Sequence, residues 1–399
     1  MKSFSHIPMS LAAILIVSAV MAIVVGACEE RFFPEIDSRY SDVLVVDGMI
    51  TSNPGPYLVK LSLSSTIDQP KLLPLGGYNV LIVDDQGNSE NCVETEIGIY
   101  KSSPNGMQGI PGRKYKLLFQ SPQGESYSSD FEELMEPVEI EAIYPEVEYS
   151  QIEVYPYDLP GYQFYLDAAQ APNDSSYFMW NLTETFRYES DFEIFFSYYD
   201  KILHPVQNHD TLKVCWKTNN VNGFYLMGTA QLSSPKVTRF PLNYVPTDER
   251  QLSVRYSLLA EQFVLTEKAY KYWKSTIEQN TNIGELYTKQ LYQIRGNISN
   301  TNDIQEPVFG YFFATAKTRK RIFVNTPDYP VEMYFPECVL INNDFEMYGW
   351  MFLGPAPPAS NPLYITESAS GERALPGQAC LDCLLKGGTV DKPDFWTDN

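Results

Sequence analysis

Histidine is nearly missing from this 399-residue chain, which has only His6, His204 and His209. An imidazole-activated serine or cysteine nucleophile needs a histidine beside it. Any such hydrolase would have to be built on His204 or His209, which lie five residues apart with Pro205 between them. The chain also lacks the G-x-S-x-G nucleophile elbow, the H-E-x-x-H zinc motif and the phosphate-binding P-loop. Cations are scarce: 29 Lys and Arg stand against 50 Asp and Glu, for a net charge of −21 and a pI near 4.5. So acidic a surface repels phosphate backbones and excludes nucleic acid as a partner. It also argues against a basic face lying on anionic lipid. Internal repeats and low-complexity tracts are absent.

What is present begins at the N-terminus. A short polar start with Lys2 leads into an apolar run, Leu11 to Val25, which ends in Val25-Gly26-Ala27-Cys28. A charged start, an apolar middle and small residues before a cut are the form of a secretory signal peptide. A cysteine directly after the small residues marks a lipoprotein signal. Residues 1–27 are therefore expected to be a lipoprotein signal peptide, with Cys28 as the lipidation site. Several acyl chains anchor stably where one holds marginally. An uncleaved membrane helix over this stretch is the alternative, and its length is near the lower limit for spanning. Residues 28–40 read as a tether, polar and acidic.

Aromatic residues are abundant, with Tyr 28 and Phe 22, and Pro 28 and Gly 23 supply turns. Aromatics favour strands, so the expectation is a mostly β protein rather than a helical bundle. Short strands separated by turns suggest an N-terminal Ig-like or transthyretin-like β-sandwich over 41–136. Asp84-Asp85-Gln86-Gly87-Asn88 reads as a hairpin turn; as a calcium loop it lacks enough oxygen ligands at set spacing. Met135-Glu136-Pro137 reads as a boundary, followed by a larger β-rich domain over 137–399. Strands are expected there at Ile140 to Tyr149, Tyr162 to Ala168, Tyr177 to Leu182 and Val331 to Phe335. A helical insertion is expected near 258–295, capped by Thr266, with Tyr270, Trp273 and Ile277 on one face. An aromatic block, Phe186, Tyr188, Phe192, Phe195, Phe196, Tyr198 and Tyr199, reads either as strand residues packed in a core or as a binding surface.

With Cys28 assigned to lipid, five cysteines remain in a chain expected to meet an oxidising compartment. Cys92, remote from the others and strand-like in context, is expected to be free and buried. Cys215, Cys338, Cys380 and Cys383 are then disulfide candidates. Cys380-Leu381-Asp382-Cys383 is open to three readings: a redox pair, half of a zinc site, or two separately bridged cysteines. The redox reading lacks a helix start in a βαβ context, and the zinc reading lacks nearby ligands. Bridging is favoured, with Cys215 or Cys338 as partners and Cys338 preferred. It would staple the C-terminal tail, which has few apolar residues before Phe395-Trp396. No metal, cofactor or catalytic residue is expected; His204 and His209 are poor candidates for a metal pair.

The chain resembles a family of Bacteroidota lipoproteins known as domain of unknown function 4249. The resemblance rests on Val45-Val46-Asp47-Gly48-Met49-Ile50-Thr51 with Pro54-Gly55-Pro56-Tyr57, and on Gly112-Arg113-Lys114-Tyr115. It continues in Tyr256-Ser257-Leu258-Leu259, Trp273, Arg295-Gly296-Asn297-Ile298 and Gly310-Tyr311-Phe312. It is sharpest at Cys380-Leu381-Asp382-Cys383, Gly387-Gly388 and Lys392-Pro393-Asp394-Phe395-Trp396. The resemblance implies an outer-membrane lipoprotein, lipid-anchored at the cell surface, and Glu29-Glu30 after Cys28 is similar to acidic surface-export signals. It implies a TonB-dependent outer-membrane transporter as partner, and no catalytic residues. The expected role is a non-catalytic binding or accessory subunit of a nutrient uptake system, for a small-molecule, glycan or peptide ligand. A structural or assembly protein of the cell surface and a carboxylate-dependent hydrolase are the alternatives.

Overall fold

Strand alternation governs the architecture. Along Tyr177–Glu189, the residues Phe178, Trp180, Leu182, Glu184, Phe186 and Tyr188 are all buried, two apart, as a pleated strand with one face on a core demands. In a computed structural model of the chain, the described residues are 43–64, 73–152, 154–170, 176–200, 202–230, 232, 236–281, 294–328, 330–336, 338–340 and 363–398. The protein is mostly β, as expected, with one α-helix among these residues. Cys28, the signal segment and the tether lie outside them.

The described strands form three sheets. The largest runs in the order Val214–Asn220, Tyr177–Glu189, Arg255–Leu265, Val308–Asn325, Leu44–Thr51, Leu58–Leu63, Ile99–Lys101, Ser89–Glu96, Asn79–Asp84, Lys114–Gln120, Ser126–Ser129 and Ile298–Asn300. Its hydrogen bonding crosses the boundary expected near 136. Leu44–Thr51 pairs in parallel with Val308–Asn325, from Leu44↔Val308 to Thr51↔Thr315. At the other end Ser126–Ser129 pairs with Ile298–Asn300. The strands of 41–136 are thus held between two strands that come much later in the chain. A second sheet joins Ile140–Gln151, Asp158–Ala168 and Phe240–Pro246; a third joins Ile202–Pro205, Phe196–Tyr199, Leu363–Glu367 and Arg373–Ala374.

The parallel pairing depends on a close backbone approach. Gly310 has φ +95°, and a side-chain carbon there would overlap the Val46 carbonyl. Only glycine tolerates both the dihedral and the contact. The main core lies along this sheet and includes Val46, Ile50, Val59, Val80, Tyr100, Phe178, Trp180 and Phe312.

The helix starts later than the expected insertion. Arg255–Leu265 is a strand, with Tyr256, Leu258, Ala260, Gln262 and Val264 buried in alternation, and among the described residues of that stretch Glu267–Thr281 is helical. The period-2 pattern governs that stretch, as it does any strand with a buried face. Residues 282–293 lie outside the described set. The Thr266 hydroxyl accepts from the Ala269 amide at 3.2 Å, the expected N-cap. Tyr270 packs on Tyr177 at 4.7 Å and Trp273 stacks on Phe313 at 5.7 Å. Glu132 ties this helix start to the sheet: it is 2% exposed and accepts from Tyr311 Oη at 2.6 Å and Thr266 Oγ1 at 2.7 Å. Burial raises its carboxyl above the usual range, against the lowering effect of those hydrogen bonds.

The segment Val331 to Phe335 carries no strand, contrary to expectation. Pro330 and Pro336 bracket it and remove ladder donors. It is held instead by Tyr334 N donating to Thr247 O at 2.8 Å and by Arg250 lying 4.5 Å over the Phe335 ring.

Candidate functional site

The buried face of Tyr177–Glu189 is apolar except where Glu184 interrupts it, and that carboxylate marks the site. It is 6% exposed and is not near any cation in an ion pair among the described residues. It is held by three neutral donors: Asn219 Nδ2 at 2.9 Å, Gln251 Nε2 at 3.2 Å and Tyr256 Oη at 3.0 Å. Burial, then the charge of Glu184, raises the Tyr256 hydroxyl well above its usual value, so it stays protonated and donates. Asn243 Nδ2 in turn donates to Tyr256 Oη at 3.2 Å.

This network forms the wall of a cleft of about 770 Å³. Its rims come from Val214–Asn220, Phe240–Pro246 and the turn at Arg250–Leu252. Two acceptors in its lining have no hydrogen bond: Asn243 Oδ1, on a residue 8% exposed, and Asp248 Oδ1. A buried polar atom left unpaired is costly and calls for a partner. Tyr225 and Tyr244 add aromatic surface. With the donors of Asn219, Gln251, Tyr256 and Asn243 engaged, the buried wall presents acceptors, and Asn220, Asn222 and Tyr225 add polar groups to the lining. The arrangement fits it to hold a polar ligand. No side chain in the lining is a histidine, cysteine or lysine.

A second, smaller cavity of about 350 Å³ shares Asp248 and Glu249 with the cleft. Arg250 leads into it, bound to Asp191 through Nη2 at 2.6 and 2.7 Å, with Lys386 3.4 Å from the same carboxylate. Desolvation and the neighbouring Arg250 lower the Lys386 ammonium.

The aromatic block divides among several environments. Phe186, Tyr188 and Tyr198 are buried, and Phe186 and Tyr188 also line the smaller cavity. Phe192, Phe195 and Phe196 are half-buried: Phe192 N donates to Cys380 O, Phe195 packs on His209 at 4.1 Å, and Arg373 lies over Phe196 at 4.8 Å. Tyr199 is 39% exposed and stacks on His204 at 3.8 Å. The two histidines therefore sit against separate rings and do not converge. Asp84 and Asp85 form the hairpin turn: Asp84 Oδ1 accepts from Gln86 N at 2.9 Å and Asn88 N at 2.8 Å, and Arg113 contacts both carboxylates.

The four later cysteines form two bridges, Cys215–Cys383 and Cys338–Cys380, with Cα–Cα distances of 5.8 and 6.0 Å. The C-x-x-C pair is thus bridged to two separate partners. Asp191, Cys338 and Cys380 cluster closely enough for a metal, but the two sulfurs are joined in a disulfide and offer no thiolate. Tyr188 Oη donates to Cys383 O at 2.7 Å, and Trp216 exchanges backbone bonds with Thr389, so the tail is also fastened to the sheet edge. Cys92 is free and buried.

Sequence reasoning did not reach Glu184, Asn243, Asp248 or Gln251. One signal was available: a charged residue at an inward position of an otherwise apolar alternation. No curated protein matches this chain. Residues 29–321 match the family described as Domain of unknown function (DUF4249), and the chain belongs to that family.

Proposed function

We propose that this protein is a lipid-anchored, non-catalytic binding subunit that works at the cell surface beside a TonB-dependent outer-membrane transporter. The anchor and the partner rest on the Val25-Gly26-Ala27-Cys28 segment and on the family resemblance. The observation that carries the binding role is the cleft over Glu184, with Asn243 Oδ1 and Asp248 Oδ1 unpaired in its lining. Its floor belongs to long, mutually bonded strands, which hold recognition groups in place at little cost in ordering. A carboxylate hydrolase would use an acid and a base facing the substrate. Glu184 instead engages both its oxygens with Asn219, Gln251 and Tyr256.

Native purification of the full chain in detergent tests the partner. Copurification with an outer-membrane barrel is the expected result, and release from membranes by Cys28→Ala is expected of the anchor. Isolation as a lone monomer with hydrolase turnover would reverse the ranking in favour of the enzyme. Tight membrane attachment of Cys28→Ala would leave the apolar segment itself as the anchor.

A further inference from the structure

The cleft's charge and hydrogen-bond inventory name the class of its ligand, and the step rests on the binding role proposed above. Its lining carries three carboxylates, Glu184, Asp248 and Glu249, and no Lys, Arg or His among the described residues. On the buried wall around Glu184 the side-chain donors are already spent, while Asn220, Asn222 and Tyr225 in the lining keep theirs, so the three carboxylates decide the charge of the ligand. Asn219, Gln251 and Tyr256 point theirs at Glu184, and the Asn243 amide points its own at Tyr256. What remains unpaired among the lining's buried atoms is oxygen: Asn243 Oδ1, on a side chain more than nine-tenths buried, and Asp248 Oδ1.

We infer that this cleft binds a cationic hydrogen-bond donor, the ammonium or guanidinium group of a basic peptide. An ammonium brings three donors and no acceptor, and a guanidinium brings five, so either fits a wall of free acceptors. The carboxylates focus negative potential in a concave site and repel anionic ligands. Tyr225 and Tyr244 offer ring surface to the apolar stem or to the cation itself. A bare metal ion fits less well, because among the described residues the cleft's carboxylates do not form a group close enough to share an ion.

Calorimetric titration of the full-length protein in detergent with tri-lysine, maltotriose and tri-glutamate tests the inference. Tri-lysine is expected to bind, and the other two are not. Asp248→Asn and Glu249→Gln should each weaken tri-lysine by about tenfold, the usual scale for losing one charge-assisted contact. Glu96→Gln, an exposed acid on a distant strand, should leave it unchanged. Equal weakening by Glu96→Gln would mean diffuse attraction to an acidic surface and would overturn the inference. So would the absence of tri-lysine binding, or binding of tri-glutamate. Binding of maltotriose alone would overturn the cationic class while leaving a binding role standing. A thermal transition unchanged in each variant ensures that lost affinity is not lost fold.

Discussion

Removing the Cys215–Cys383 bridge should destabilise this protein more than removing Cys338–Cys380. The first bridge spans 168 residues and the second 42. In the chain-entropy treatment such loops contribute roughly 5 and roughly 4 kcal/mol respectively. The difference depends only on the ratio of the loop lengths and comes to about 1.2 kcal/mol. Packing acts in the same direction. Cys215 and Cys383 are both fully buried, whereas Cys338 and Cys380 are half-buried. Truncating the buried pair leaves a void that adds about 1 kcal/mol. The double variant Cys215→Ala/Cys383→Ala should therefore be less stable than Cys338→Ala/Cys380→Ala by about 2 kcal/mol. Urea unfolding followed by tryptophan fluorescence measures this, and Trp216, adjacent to Cys215, provides a local reporter. Equal stabilities or the reverse order would refute the reasoning. A Cys380–Cys383 peptide in non-reducing maps would refute the pairing on which it rests.

Three further outcomes follow from other parts of the fold. Gly310→Ala should cost about 3 kcal/mol or more, because it combines a positive φ with overlap onto the Val46 carbonyl; a midpoint within experimental error of the parent would count against the close approach. Burial, reinforced by Glu90, pushes the Cys92 thiol up to about 12, so alkylation at pH 8 should be slow in the native protein and complete in denaturant, and rapid native labelling would be the contrary result. Burial raises Glu132 above its ordinary value of 4.5, so the folded state holds that proton more tightly; the associated stability is full below pH 4.5 and is lost as pH rises through the folded value. Glu132→Gln should therefore gain in relative Tm from pH 4 to pH 7, and a difference that does not vary with pH would argue against a raised carboxyl.

Much of the strand content was legible because burial on one face writes itself into alternation. Tyr177-Phe178-Met179-Trp180-Asn181-Leu182 and Val80-Leu81-Ile82-Val83 show it plainly, and the Thr266 cap with Tyr270 and Trp273 marks the helix. The pairing of those strands was not legible. The parallel contact of Leu44–Thr51 with Val308–Asn325 joins residues remote in sequence, and no local pattern encodes it. Val331 to Phe335 carried a strand-like composition, yet its flanking prolines decided against pairing. The cleft was hidden for a related reason. Its groups come from four separate segments, and each alone reads as an ordinary polar residue at a strand end or turn. Only Glu184, set among Trp180, Leu182, Phe186 and Tyr188, stood out against its own surroundings.

The placement of the first strand has a consequence for how the molecule is made. Leu44–Thr51 leaves the ribosome early, yet its parallel neighbour begins at Val308. Ser126–Ser129 likewise waits for Ile298–Asn300. Chains emerge from the N-terminus at a few to tens of residues per second. For most of synthesis the nascent N-terminal strands therefore expose two unpaired edges, that of Leu44–Thr51 largely apolar, the condition that invites misassociation. Productive folding is then a late, closing event rather than a progressive one. A stop or truncation before Asn325 should leave not a stable half-molecule but an aggregation-prone sheet.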